Sequence, residues 1–108
     1  MKDDKIYLKH ISDAVKKVEK YLEGRSFDDF TKNEMLFDAV VREIEIIGEA
    51  SSRLSEKFRN EHQDLPVKLA VAMRNQLIHG YSEINPKIVW QTCQEDIPKL
   101  KEQIKKII

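Results

Sequence analysis

Met73-Arg74-Asn75-Gln76-Leu77-Ile78-His79-Gly80-Tyr81 is the stretch around which the rest of the chain is arranged. If Pro66 to His79 is one helix, each position advances by about 100°. Leu69, Met73 and Leu77 then face inward, while Arg74, Asn75 and His79 share a broad polar arc with Asn75 and His79 stacked at i and i+4. Arginine offers a permanently charged planar fork for phosphate oxygens. Histidine moves protons near neutral pH, and asparagine can hold a substrate group or a neighbouring side chain. The set fits phosphodiester cleavage without a metal. One copy, however, spreads Arg74 and His79 too far apart to grip one phosphate, and a two-fold dimer that pairs the arc with itself corrects this, because an isologous interface brings both copies of a patch together. On spacing alone, the plainer reading is a capping or salt-bridging arrangement at a helix end.

Size and composition bound what surrounds this stretch. A chain of 108 residues makes one domain, residues 1–108, with room for a core but not for a second unit. Charged residues make up 35 % of it, and there are only three glycines and three prolines, a balance expected of long solvated helices with short connections. Nineteen basic and nineteen acidic residues cancel, so nucleic-acid binding must come from a local patch and not from the global field. The single cysteine, Cys93, excludes an intramolecular disulfide, fits a reducing compartment and reads as a core residue. No apolar run approaches the roughly 18 residues of a membrane span, so the expected location is cytoplasmic, with no membrane partner.

The expected architecture is all-α: an antiparallel up-and-down bundle of four main helices with a kinked or split C-terminal helix. From Asp4 to Glu23, apolar residues at Tyr7, Leu8, Ile11, Ala14, Val15, Val18, Tyr21 and Leu22 repeat as on an amphipathic helix, and Gly24 suits its C-terminal cap. Lys16, Lys17 and Lys20 fall on the opposite, solvated side, and His10 reads as a surface residue. Thr31-Lys32-Asn33-Glu34 matches a capping box, so the second helix should begin there and run to about Phe58. Gly48 inside it costs about 1 kcal/mol against alanine, and close approach of another helix backbone is the expected compensation. Arg59 to Leu65, with His62, reads as a polar loop. A third helix should run from Pro66 to Gly80, placing His79 at a helix C-terminus where the dipole favours the protonated ring. Asn85-Pro86 starts a fourth, with an apolar stripe through Ile88, Val89, Cys93, Ile97, Leu100, Ile104 and Ile108. Pro98 should kink it or force a restart capped by Asp96. Trp90, off the main stripe, should pack on the Gly80 to Ile84 turn or, failing that, at a dimer contact.

Glu43, Glu45 and Glu49 raise the question of a metal site, but no Glu-x-x-His, His-x-x-x-His or Cys-x-x-Cys accompanies them. Salt bridges to Arg42 or Arg53 are the expected account, with no metal and no cofactor. A glycine-rich phosphate loop and a Gly-x-Ser-x-Gly elbow are also missing.

Arg74, four intervening residues, His79, Gly80 and Tyr81 resemble the Arg-x4-His-x-Tyr signature of the HEPN superfamily, specifically the HepT-like ribonuclease toxins of MNT/HEPN toxin-antitoxin pairs. Ile47-Gly48-Glu49-Ala50, the Leu54-Ser55-Glu56 turn, Asp64-Leu65-Pro66, Ile88-Val89-Trp90 and Asp96-Ile97-Pro98 resemble that family in order and spacing, so the likeness covers roughly residues 4–106. Val67 and Ala72 stand where the family commonly has tryptophan and glycine, differences that bear on packing. The resemblance implies a homodimeric, metal-independent endoribonuclease in which Arg74 and His79 of both protomers are catalytic, Asn75 supports them and RNA is the substrate. It also implies a nucleotidyltransferase antitoxin partner that attaches AMP to Tyr81. Two readings from other classes compete with it: a noncatalytic subunit that binds nucleotide or substrate for a nucleotidyltransferase, and a structural helical adaptor.

Overall fold

Six helices, joined in one place by a π-helical turn, make up the part of the chain that the computed structural model describes, residues 2–63, 65 and 84–107. The expected third helix, Pro66 to Gly80, lies outside the described residues. Helix α1 spans Lys2–Leu22 and buries Leu8, Ile11, Ala14, Val15 and Val18, the stripe that its apolar spacing predicts. Asp3 and Asp4 occupy its first turn and Lys20 its last, each complementing the helix dipole. Gly24 lies just beyond its end at φ +71°, a left-handed cap that a side chain would strain.

The next two helices correct the expected boundary. Helix α2, Phe27–Lys32, occupies what reads in sequence as a connection, and its capping box belongs to Ser26 and Asp29 rather than to Thr31 and Glu34. The Asp29 amide donates to Ser26 Oγ at 3.1 Å and the Ser26 amide donates to Asp29 Oδ2 at 2.9 Å. Thr31 is still helical, its hydroxyl donating to the Asp28 carbonyl at 3.0 Å, so it lacks the extended backbone that an N-cap requires. Asn33 has that backbone, at φ −108° and ψ 98°, and accepts the Leu36 amide at 3.0 Å to start helix α3, Glu34–Ser52. Burial explains why six residues fold here at all: Phe30 is fully enclosed, 5.3 Å from the Phe37 ring and 5.5 Å from Trp90.

Helix α3 stops at Ser52 instead of continuing to Phe58. Leu54 and Phe58 are buried, so the apolar spacing is genuine, but Ser55 caps a separate helix, α4, Glu56–Glu61, by accepting the Phe58 amide at 3.1 Å. Two contacts stabilise the break. Asp4 of α1 accepts the Ser55 amide at 2.8 Å and the Ser55 hydroxyl at 2.7 Å, and Arg59 of α4 donates to the Ser52 carbonyl at the end of α3 at 2.6 Å. Arg59 to Glu61 are therefore helical and not loop. His62 ends α4, its ring 4.4 Å from that of Phe58.

Asn85 caps helix α5, Pro86–Gln91, as expected, with Pro86 in the first turn and Asn85 Oδ1 accepting the Lys87 amide at 2.9 Å. Asp96 caps nothing. A π-helical turn over Thr92–Asp96 joins α5 to helix α6, Ile97–Ile107. Pro98 removes an amide donor from the ladder, and a widened turn just before it accommodates the loss without breaking the helix.

Two apolar clusters stack along α1. Leu8, Ile11 and Val15 pack with Ile47, Ala50, Leu54, Phe58, Leu65, Ile97, Leu100 and Ile104, whereas Val18 packs with Phe30, Leu36, Val40, Ile44, Val89 and Cys93. The start of α1 thus meets the end of α3, so the two run antiparallel. The ion pair from Lys101 Nζ to Glu19 Oε2, at 2.8 Å, sets the start of α6 beside the end of α1, which makes α6 antiparallel to α1 as well. An all-α bundle results, with α1 between its two long neighbours.

Candidate active site

Arg74, Asn75, His79 and Tyr81 all lie outside the described residues. The structure describes the chain on either side of them. Leu65 is buried in the cluster formed by the start of α1, the end of α3 and Phe58, and Ile84 packs on the cluster formed by Phe30, Val40 and Val89. Leu65 and Ile84, the described residues on either side of the predicted site, thus belong to different apolar clusters. Trp90 belongs to the second cluster and makes an edge contact to Phe27 at 5.9 Å besides its contact with Phe30; sequence reading missed both phenylalanine partners.

Among the described residues, polar side chains of two helices line a groove of about 410 Å³ between α1 and α3. Tyr7 and His10, one helical turn apart on α1, line one wall, with their rings edge to face at 6.2 Å. Arg42, Glu45, Glu49 and Arg53 line the other, since steps of three and four residues place them on one face of α3. Arg53 Nε donates to Glu49 Oε1 at 2.9 Å, and Arg42 Nη1 lies 3.9 Å from Glu45 Oε2. The Glu49 hydrogen bond, followed by one to Tyr7, raises the Arg53 pKa further above its ordinary value. The expected salt bridges from Glu45 and Glu49 are thus present. Glu43 departs from that account: it is buried on α3 with no ion pair among the described residues.

His10 is exposed, as expected, but it stands at the mouth of this groove; the i, i+3 spacing of Tyr7 and His10 was the signal for that. A phosphate entering would have to draw both arginines away from carboxylates, so the groove by itself is a weak anion site. Cys93 is buried in the core, and burial pushes its thiol up to about 12, far from the range in which a thiolate attacks.

Comparison with known proteins decides the affiliation. A family model described as ribonuclease HepT-like matches residues 11–107, a range that includes Arg74 through Tyr81. The chain belongs to the HepT-like ribonuclease family. Three relatives agree with this. A candidate RNase of Caldanaerobacter subterraneus subsp. tengcongensis is 41 % identical over 108 residues, covering 100 % of this HepT-like chain and 96 % of its own. A "probable ribonuclease HepT" of Thermococcus cleftensis is 36 % identical over 103 residues, covering 95 % and 94 %. A Methanocaldococcus jannaschii protein named as a gamma-glutamylcyclotransferase and candidate RNase is 43 % identical over 107 residues. That match covers 99 % of the HepT-like chain but 48 % of the relative, so the chain spans about half the length of that protein. No solved structure matches the chain. Among the described residues, no helix is long and apolar enough to cross a membrane.

Proposed function

We propose that this HepT-like chain is a metal-independent endoribonuclease toxin that acts as a homodimer, with Arg74 and His79 of both protomers lining one cleft. Family membership across residues 11–107, with the Arg74 to Tyr81 motif inside the matched range, is the observation that carries it. In the reaction, a ribose 2′-oxygen attacks the adjacent phosphorus, the bond from phosphorus to the 5′-oxygen breaks, and a 2′,3′-cyclic phosphate and a free 5′-hydroxyl result. The proton lost by the 2′-hydroxyl is balanced by one gained at the leaving oxygen. His79 transfers a proton at one of these oxygens, Arg74 stabilises the charge that grows on the phosphorane-like transition state, and Asn75 orients.

Tyr81, two residues beyond His79, is the control point in this reading. A nucleotidyltransferase antitoxin joins its hydroxyl oxygen to the α-phosphorus of ATP, pyrophosphate departs and the phenolic proton is released. The attached AMP brings a negative phosphate and a bulky base to the cleft and excludes RNA.

Induced expression of wild type beside Arg74→Ala and His79→Ala, with growth and RNA integrity followed together, tests the assignment. Wild type should arrest growth and leave cyclic-phosphate ends without added magnesium, and both variants should lose at least about a hundredfold in activity, the scale of one general acid–base group. Undiminished cleavage by His79→Ala would rule the mechanism out. Protein that binds RNA or nucleotide and cuts nothing favours instead a noncatalytic subunit of a nucleotidyltransferase complex. For Tyr81, mass spectrometry after co-expression with the antitoxin should find AMP on the Tyr81 peptide and none on a Tyr81→Phe protein.

A further inference from the structure

Charge in this chain is neutral only on the whole. Residues 2–22 and 97–107, the two helices α1 and α6, carry ten lysines against five carboxylates, and the remainder carries the compensating acidic excess. The fold brings these two helices together, and two adjoining grooves run along their junction. One, of about 620 Å³, is lined by Lys5, Lys9 and Lys16 of α1 with Ile107 of α6. The other, of about 310 Å³, is lined by Lys16 from α1 and by Lys101 and Lys105 from α6, and both include Ser12.

Carboxylates answer only part of this charge. Asp13 pairs with Lys9 at 3.1 Å, Glu19 pairs with Lys101 at 2.8 Å, and Asp4 is committed to Ser55. Lys5, Lys16 and Lys105 are exposed and have no carboxylate within ion-pair distance among the described residues. Lys5 and Lys16 are eleven residues apart on one helix, which separates them by about 16 Å along its axis. Cations so spread cannot converge on a single phosphate; they match a chain of anions. The apolar side chains beneath them, Leu8, Val15, Phe58 and Ile104, are buried, and the exposed side chains of α1 and α6 around the grooves are mostly lysines.

We propose that the α1–α6 lysine face is a track for the phosphate backbone of the RNA substrate, built from residues outside the catalytic motif, that holds a strand while the catalytic residues cut it. The identity of the occupant rests on the ribonuclease reading above. Lys5, Lys16 and Lys105 are positioning residues: they contribute affinity for long RNA and nothing to bond cleavage. Each phosphate contact releases counterions from a single strand, so log affinity falls with log salt by about 0.7 per contact.

The test compares Lys5→Gln/Lys16→Gln/Lys105→Gln with its triple arginine counterpart, each in the wild-type and the His79→Ala background. Binding of a single-stranded RNA of about 20 nucleotides, longer than one local site engages, is titrated across a salt series, and cleavage of that RNA is compared with cleavage of a dinucleotide. The glutamine variant should bind at least about tenfold more weakly at low salt, with the salt slope reduced by about 2. Its KM for the long RNA should rise while dinucleotide turnover is unchanged, and arginine should restore binding. Unchanged RNA affinity and slope in the glutamine variant overturn the track even where cleavage depends on His79. So does a wild-type protein that fails to bind RNA, or loss of an acidic protein partner from the variant with RNA binding intact. RNA that is bound through these lysines but never cut leaves the track standing and removes the nuclease reading instead.

Discussion

The two apolar clusters along α1 are held in different ways. Around Phe30 an aromatic group sits on an aliphatic interior: Phe27, Phe30, Phe37 and Trp90 meet ring to ring, with separations of 5.3–5.9 Å. Around Leu8 and Phe58 the interior is mostly aliphatic, and its edge is tied by the Asp4 carboxylate, which accepts both the amide and the hydroxyl of Ser55. One cluster therefore depends on shape, the other on shape and a charge. Leu65 lies in the second and Ile84 in the first, and the two clusters should respond differently to pH and to mutation.

The largest effect belongs to the aromatic cluster. Phe30→Ala empties a fully buried site and should cost about 3–5 kcal/mol, read as a shift of the urea midpoint. That loss should be the same at pH 7 and in mild acid, because the ring contacts of Phe30 among the described residues are to Phe37 and Trp90, neither of which titrates; a loss that shrinks in acid would break the contrast.

At the other cluster Asp4→Ala should cost about 2 kcal/mol at pH 7, the scale of hydrogen bonds to a charged acceptor. This loss should depend on pH. Burial opposes the ionisation of Asp4, but the hydrogen bonds from the Ser55 amide and hydroxyl outweigh it, and its pKa is lowered. A carboxylate with a lowered folded pKa contributes stability that is fully present above its unfolded value, about pH 4, and is lost as pH falls through the folded value. The gap between wild type and Asp4→Ala should accordingly stay constant down to about pH 4 and close below it. A gap that widens in acid would reverse the sign assigned to this contact.

Gly24→Ala should cost about 1 kcal/mol, because its φ of +71° suits glycine while the space around it is open, so strain and not crowding is the cost. The smallest effect is expected from Arg53→Gln, whose exposed pair with Glu49 is screened by solvent and should leave the urea midpoint essentially unchanged. A larger loss would mean that the α1–α3 groove is structural and not a solvated surface.

Helix type and packing face were legible in the sequence wherever apolar spacing ran unbroken, as in α1 and in the stripe from Val89 to Ile104, although Ile88, expected in that stripe, is exposed. Boundaries were less so. Thr31 and Ser26 both head a plausible capping box, and the choice between them was made by Phe30, whose burial against Phe37 and Trp90 requires α2 to be a helix of its own. The break after Ser52 was hidden because Leu54 and Phe58 keep the spacing of α3; the partner that stabilises it, Asp4, is 51 residues away from Ser55. At the candidate site, the residue types and spacing of Arg74, His79 and Tyr81 were readable and led to the family. The grooves were not, because each takes its walls from helices distant in sequence.

Local chemistry along the chain, meaning apolar periodicity, Gly24, Asn85-Pro86 and the Arg74 to Tyr81 motif, determined the helices, their inward faces and the ribonuclease family, since each of these depends only on neighbours within a few residues. Tertiary structure decided where α3 ends, which residues cap α2, how Pro98 is absorbed and which lysines stand together across α1 and α6. Those outcomes turn on contacts between segments far apart in the chain, and a pattern read residue by residue carries no record of which distant segment will arrive.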